Sequence, residues 1–190
     1  MSHLQPPSVD WSTLPAPIDD GAAAHLVGRA LPDVTLPATD GSSVRLSEIG
    51  GTAVLYLYPM TATPGIALPS DWDAIPGARG CTPQSCAFRD HFDELREAGA
   101  QAVFGISMQD PAEQREAQAR LHLPFPLLSD ADGALAQALA LPTFEAGGRR
   151  LHKRLTMIAR DGVVATVFYP IFPPDRNAGD VVAWLRANPA

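Results

Sequence analysis

The chain has few cysteines, no Lys or Arg near its N-terminus and no long hydrophobic run. Its two cysteines are too few to staple a secreted disulfide scaffold. Residues 1–20 contain no Lys or Arg and no apolar run, so they do not resemble a secretory signal. No stretch approaches the roughly 18 uninterrupted apolar residues that a membrane-spanning helix needs. We therefore expect a cytoplasmic protein without a membrane partner, in which any disulfide is transient.

Basic charge is also in short supply. The 14 basic residues are outnumbered by 21 acidic ones, which gives a formal net charge of -7. Nucleic-acid backbones and anionic membrane surfaces repel such a chain, so we expect small-molecule or protein partners and no nucleic acid. The composition suits one compact domain. We place this domain at residues 26–190, after a proline-broken arm at residues 1–25.

Hydrophobic periodicity predicts alternating strands and helices. Residues 31–46 have the pattern of a small β-rich entry, and residues 53–58 form an apolar run typical of a strand buried on both faces. Helical spacing follows from 82 to 98, where Thr82-Pro83 suits a helix start. The remaining predicted elements are a strand at 102–107, a helix from Asp110 to about Leu121, a helix at 132–140, strands at 155–159 and 163–169 joined by Asp161-Gly162, and a helix at 178–187.

This order of elements predicts an α/β fold of the thioredoxin type. Parallel strands joined by crossover helices come first, and an antiparallel hairpin and a terminal helix follow. The prediction is a central mixed sheet flanked by helices, with an N-terminal β extension. One segment does not fit a simple connection: the loop from Ile66 to Gly80 is longer than strand-to-helix loops usually are.

Cys81 stands where the sequence predicts a helix to begin. In open α/β sheets, functional sites form beyond the carboxyl ends of the strands, where helix N-termini point at the ligand. The sulfur of Cys81 should therefore face unpaired N–H groups and the positive end of the helix. That environment favours the thiolate, which is the reactive form. We expect Cys81 to be a nucleophile rather than an inert buried thiol.

Cys86 follows five residues later, inside the same predicted helix. Cα atoms five residues apart on an ideal helix are separated by about 8.6 Å, whereas a disulfide rarely tolerates more than about 7 Å. A disulfide between the two cysteines therefore requires the first turn to unwind. The alternative is that Cys86 is a buried apolar side chain with no redox role. The two cysteines and His91 do not converge along the helix, which argues against a metal site.

The ordered motifs of this chain resemble one family. They are Tyr58-Pro59, Thr63-Pro64-Gly65 and the run from Gly80 to Asp90, and with later matches they cover about residues 27–185. Together they resemble peroxiredoxins of the bacterioferritin-comigratory, or Q, type. The resemblance implies a thioredoxin-like fold and cofactor-free reduction of hydrogen peroxide and organic hydroperoxides. It also implies a peroxidatic Cys81 and a resolving Cys86, with thioredoxin or a similar dithiol as reductant, in a monomer or weak homodimer.

The chain departs from the family pattern at the threonine. In the family this residue stands three positions before the peroxidatic cysteine, but here Ile66 occupies the expected cysteine position. Thr63 keeps the family spacing from Pro59, and Thr61 is the alternative. The inserted loop, which contains Trp72 and Ile75, either covers the pocket and favours apolar peroxides or decorates the surface.

Arg154 is the residue that the resemblance assigns to the thiolate. It precedes a strand predicted to run antiparallel to residues 54–58, so the start of that strand should lie beside Cys81. A guanidinium there would stabilise the thiolate and orient a peroxide. Arg79 and Arg89 are further basic candidates.

Three other functions share the fold. A thiol-disulfide oxidoreductase normally has two residues between its cysteines rather than four. A redox sensor would respond to oxidation only through a protein partner. A copper metallochaperone would need a histidine near the cysteines, and His152 is the candidate.

Overall fold

The computed structural model describes residues 9–190, which form an α/β fold around a five-stranded sheet. The strands are β1 Thr35–Pro37, β2 Ser43–Arg45, β3 Thr52–Leu57, β4 Ala102–Ser107, β5 Leu127–Ser129, β6 Thr143–Ala146, β7 Arg149–His152, β8 Leu155–Arg160 and β9 Val163–Phe168. The helices are α1 Cys81–Asp90, α2 Phe92–Glu97, α3 Pro111–Leu121, α4 Ala134–Leu139 and α5 Asn177–Ala187.

The central sheet has the strand order β5-β4-β3-β8-β9. Strands β3, β4 and β5 pair in parallel, and β8 pairs antiparallel with both β3 and β9. All six residues of β3 are buried, because this apolar strand lies in the middle of the sheet with a hydrophobic cluster on each face. The predicted thioredoxin-like fold with a mixed sheet is confirmed, and the short β1–β2 hairpin is its N-terminal β extension.

The register of β3 and β8 brings the two sides of the site together. Leu57 at the end of β3 pairs with Leu155 at the start of β8. Arg154, one residue earlier, therefore lies at the carboxyl edge of the sheet. The chain returns to α1 at this same edge after the inserted loop.

The helix predicted from 82 to 98 is two helices. His91, between α1 and α2, has φ -94° and ψ 9°, outside the helical region. The apolar stripe continues through this break, because Phe88 before it and Leu95 after it are buried in the same cluster. The hydrophobic periodicity of the sequence therefore gave no sign of the break. Helix α3 begins as predicted. The Asp110 carboxylate accepts hydrogen bonds from the backbone N–H groups of Ala112 and Glu113 in a capping box.

The β6–β7 hairpin was not predicted, and it supports the inserted loop. Trp72 and Ala78 of the loop pack against Ala146 and Leu151 of the hairpin in a separate apolar cluster. The loop therefore has a core of its own at the edge of the sheet.

Residues 9–25, the described part of the predicted arm, contact the domain near this edge. Trp11 donates its indole N–H to Asp175, and its ring meets Phe172 edge to face. The Asp20 carboxylate accepts hydrogen bonds from Lys153 and Tyr169. Residues 1–8 of the arm lie outside the described residues. Within residues 9–190, no helix is long and apolar enough to cross a membrane.

Candidate active site

Cys81 is the first residue of α1 and lines a pocket of about 220 Å³. Gly80 before it has φ 109°, a conformation that side chains other than glycine rarely adopt. A Cβ atom on Gly80 would come within 2.5 Å of Pro174, so the close approach also requires glycine. The side chain of Cys81 is only 4% exposed, and the pocket is its route to solvent.

The structure brings Arg154 to the Cys81 sulfur. Its Nη2 atom lies 3.3 Å from Sγ and donates also to the carbonyl oxygens of Ala78 and Arg79, each at 3.2 Å. The guanidinium is 4% exposed, and within the described residues it forms no salt bridge with a carboxylate. An uncompensated buried charge is costly. The guanidinium is therefore placed to stabilise a negative charge that forms on the adjacent sulfur or on a bound substrate.

The start of α1 adds donors of its own. The N–H of Gln84 is bonded to the carbonyl of Gly80, and Pro83 has no N–H. The N–H groups of Cys81 and Thr82 have no partner within the helix. They lie at the positive end of α1, where negative charge is favoured.

Cys86 is also buried on α1, and both cysteines are free thiols. Burial raises the pKa of the Cys86 thiol above its ordinary value, an effect that nearby Arg89 partly offsets. Cys86 therefore remains a thiol at neutral pH while α1 is intact. Since α1 contains both cysteines, the helical spacing still keeps them apart, and a disulfide requires the turn between them to unwind.

Neither candidate threonine reaches the Cys81 pocket. Thr61 is buried and bonds to Gln109 through both its N–H and its hydroxyl, at 2.8 and 3.1 Å. Thr63 is partly buried and lines, with Thr61, a neighbouring pocket of about 280 Å³. Pro59 is buried just after β3 and lines neither pocket. The threonine segment reaches the Cys81 pocket through Met60 and Ala62, while Thr61 and Thr63 line the neighbouring pocket instead.

The polar groups that the sequence did not indicate are Thr82 and Gln84. Thr82 is the one threonine among the residues that line the Cys81 pocket. Gln84 is fully buried and accepts a hydrogen bond from Arg154. Position offered the only signal for either, because both follow Cys81 within one helical turn.

The inserted loop forms the apolar wall of the pocket. Leu68 and Trp72 from the loop line it, together with Met60 and Ala62. Trp72 is nearly fully buried by the β6–β7 hairpin, which holds this wall in place. Ile75 lines a different cavity, of about 380 Å³, on the side of the N-terminal arm.

The remaining candidates lie in other environments. His152, the residue that a copper site would use, is buried at the end of β7 with Nε2 3.0 Å from Asp130. Arg79 lines the pocket and pairs with Asp73 of the loop. Arg89 pairs with Asp90.

The fold and the paired Cys81 and Arg154 define a thiol-based redox protein. A family model described as Redoxin matches residues 26–182. Peroxiredoxin Q of Triticum aestivum, named as chloroplastic, is 31% identical over 190 residues, which cover 96% of this chain and 80% of the wheat protein. Peroxiredoxin Q of Oryza sativa subsp. japonica is 32% identical over 161 residues, and the match spans only 66% of its length.

Solved structures agree with these relatives. The crystal structure of peroxidoxin BcpB from Mycobacterium tuberculosis has a TM-score of 0.68 and 30% identity, and the match covers 86% of this chain and 98% of that one. The chain belongs to the Redoxin family as a peroxiredoxin of the Q type.

Proposed function

We propose that this chain reduces hydroperoxides through a thiolate on Cys81, with Cys86 as the resolving thiol. The observation that carries the proposal is the 3.3 Å contact between the buried Arg154 guanidinium and the Cys81 sulfur at the base of an open pocket. A structural cysteine has no need of a buried cation that lacks a carboxylate partner. A peroxidatic cysteine does, because its thiolate is the nucleophile.

In the first step the thiolate attacks the terminal oxygen of the peroxide. The S–O bond forms as the O–O bond breaks, and the departing oxygen leaves with the electron pair. It takes up a proton and is released as water or an alcohol, while Cys81 becomes a sulfenic acid. Arg154 and the N–H groups at the start of α1 stabilise the negative charge on the reacting oxygens.

In the second step Cys86 attacks the sulfenic sulfur, and water leaves as the disulfide forms. This step requires the segment from Cys81 to Cys86 to unwind. Unwinding also exposes Cys86, so its raised pKa falls back toward the ordinary value when the thiol is needed. A dithiol such as thioredoxin then reduces the disulfide by exchange.

The substrate is held between unlike walls. On one side Thr82 lines the pocket and Arg154 lies behind the Cys81 sulfur, and both offer donors to the reacting oxygens. On the other side Leu68 and Trp72 offer apolar contact to an organic substituent. Thr82 is better placed than Thr63 to supply a hydroxyl. The support for Thr63 and Pro59 is their family motif. Pro59 shapes the chain just after β3, and Thr63 shapes the neighbouring pocket.

Turnover with a reductant separates this function from the redox sensor. Peroxide consumption should be abolished by Cys81→Ser. Cys86→Ser should leave the first oxidation intact and block turnover coupled to thioredoxin. The assay is NADPH oxidation with thioredoxin and its reductase. Full coupled activity in Cys81→Ser would refute the peroxidatic role, and wild-type protein that oxidises once without turnover would favour the sensor.

The wider setting follows from this cycle. A dithiol reductant must be available, so we place the protein in the reducing cytoplasm, although the plant relatives named above are chloroplastic. The described fold contains both cysteines and Arg154 in one chain, so a monomer or weak homodimer is sufficient for the chemistry.

A further inference from the structure

Four buried polar side chains form a continuous hydrogen-bond network beside Cys81. Arg154 donates through Nη1 to Oε1 of Gln84, and Gln84 donates through Nε2 to Oδ1 of Asn177 at 3.0 Å. Thr156 donates its hydroxyl to the same Oδ1 at 2.7 Å. None of the four is more than 4% exposed. This hydrogen-bond network links β8, α1 and the first residue of α5.

Arg154 sets the donor and acceptor at every hydrogen bond in this network. A guanidinium can only donate, so the oxygen of the Gln84 amide must face it. The Gln84 nitrogen must then face Asn177, which has to accept with its oxygen. Because these groups are buried, an amide left without its partner would bear the cost of burial uncompensated. Position 177 therefore requires an acceptor.

Gln84 also lies within the segment that must unwind. It stands between Cys81 and Cys86, and its bonds to Arg154 and Asn177 exist only while α1 is wound. Forming the disulfide breaks both bonds. The interaction that holds the guanidinium on the sulfur thus also holds the two cysteines apart.

We propose that Asn177 is a positioning residue for both steps of the reaction. This proposal rests on the function proposed above. Through Gln84 it fixes Arg154 on the Cys81 sulfur and speeds the oxidation of Cys81. Through the same bond it restrains the first turn of α1 and slows the formation of the disulfide. Asn177 itself touches neither the substrate nor the reacting sulfur.

The test compares Asn177→Leu, which removes the acceptor at similar size, with Thr156→Val, which removes one donor and leaves the Gln84 bond in place. Stopped-flow kinetics with an alkyl hydroperoxide separate the two steps. Asn177→Leu should slow Cys81 oxidation about tenfold and speed disulfide formation several-fold. Thr156→Val should change either rate less than about twofold. Asn177→Asp keeps an accepting oxygen and should recover most of the oxidation rate.

The pH profile of Cys81 alkylation, measured in a Cys86→Ser background, gives a further readout. A purely structural role of Asn177 would leave this profile unchanged. Asn177→Leu should shift the midpoint of this profile to higher pH, because the guanidinium no longer holds the thiolate. If Asn177→Leu only lowers the melting temperature, with both rates and the profile equal to those of Thr156→Val, the inference is wrong. If Asn177→Leu fails to fold, Asn177→Ala replaces it in the test and should show the same changes in both rates and in the pH profile. Failure of wild-type Cys81 to react with peroxide would instead refute the proposed function.

Discussion

The two walls of the Cys81 pocket differ in origin and in chemistry. The polar wall is the start of α1, where Cys81 and Thr82 line the pocket. Behind it, Arg154 and Gln84 are buried and hydrogen-bonded to each other, and the Arg154 guanidinium lies 3.3 Å from the Cys81 sulfur. The apolar wall is built from the inserted loop, where Leu68 and Trp72 rest on the β6–β7 hairpin. Since separate segments form them, the walls should control separate properties: the polar wall sets how fast Cys81 reacts, and the apolar wall sets which peroxide it prefers.

The largest effect should come from the polar wall. Arg154→Leu removes the donors to the sulfur and the reacting oxygen, and we expect Cys81 oxidation to slow about a hundredfold or more for every peroxide. Arg154→Lys should recover only part of the rate, because an ammonium lacks the planar fork of the guanidinium. Stopped-flow measurement in a Cys86→Ser background gives both values. An Arg154→Leu protein that keeps more than half of the wild-type rate would contradict the role of this wall.

The hydroxyl on the polar wall gives a second, smaller effect. Thr82→Val should slow Cys81 oxidation about tenfold if its hydroxyl helps to hold the peroxide. Thr63→Val is the matched control and should stay within about twofold, because Thr63 lies in the neighbouring pocket. The reverse order of the two variants would mean that the family threonine acts in spite of the insertion.

The apolar wall should change selectivity. Leu68→Ala removes about 1 kcal/mol of apolar contact with an organic substituent, so the rate with cumene hydroperoxide should fall about fivefold relative to hydrogen peroxide. Ile66→Ala, in the same loop but largely exposed and outside the Cys81 pocket, is the control. Equal loss for both peroxides would assign Leu68 to stability rather than to selectivity.

A change away from both walls should affect stability alone. The Arg149 guanidinium holds the pKa of Glu113 below its ordinary value of 4.5. A lowered folded-state pKa stabilises the fold above pH 4.5, and this contribution is lost as the pH falls through the folded pKa. Glu113→Gln should therefore lower the free energy of unfolding by about 0.5 kcal/mol at pH 7, since the pair is partly exposed.

Urea unfolding at pH 7 and at pH 3.5 measures this difference between wild type and Glu113→Gln. The gap should shrink at the lower pH, and the rate of Cys81 oxidation at pH 7 should not change. A gap that widens in acid would show that the sign of the coupling is wrong.

Much of the fold could be predicted from the sequence, because hydrophobic period and capping residues are local signals. Strand β4 and helix α3 appear at their predicted positions for this reason. The β6–β7 hairpin was missed since most of its residues are partly or fully exposed, and Glu145, Arg149 and Arg150 mask any alternation. The break at His91 was missed because the apolar stripe runs through it.

The site could be predicted only where topology determines it. Arg154 could be placed beside Cys81 because the antiparallel register of two strands sets that distance. Thr63 could not, because spacing in the sequence does not reveal the path of the inserted loop. Gln84 gave no signal beyond its position after Cys81, and Asn177 gave none, since the sequence alone does not distinguish a buried polar residue from one on the surface.

The central claim is that Arg154 and the start of α1 make Cys81 a reactive thiolate, and one measurement tests it most directly. Cys86→Ser protein is mixed with an alkyl hydroperoxide at pH 7, and the rate of oxidation is compared with that of free cysteine while intact-mass spectrometry locates the product. We predict a rate far above that of free cysteine, with one oxygen atom added at Cys81. A rate no faster than that of free cysteine, or oxygen added elsewhere, would contradict the account.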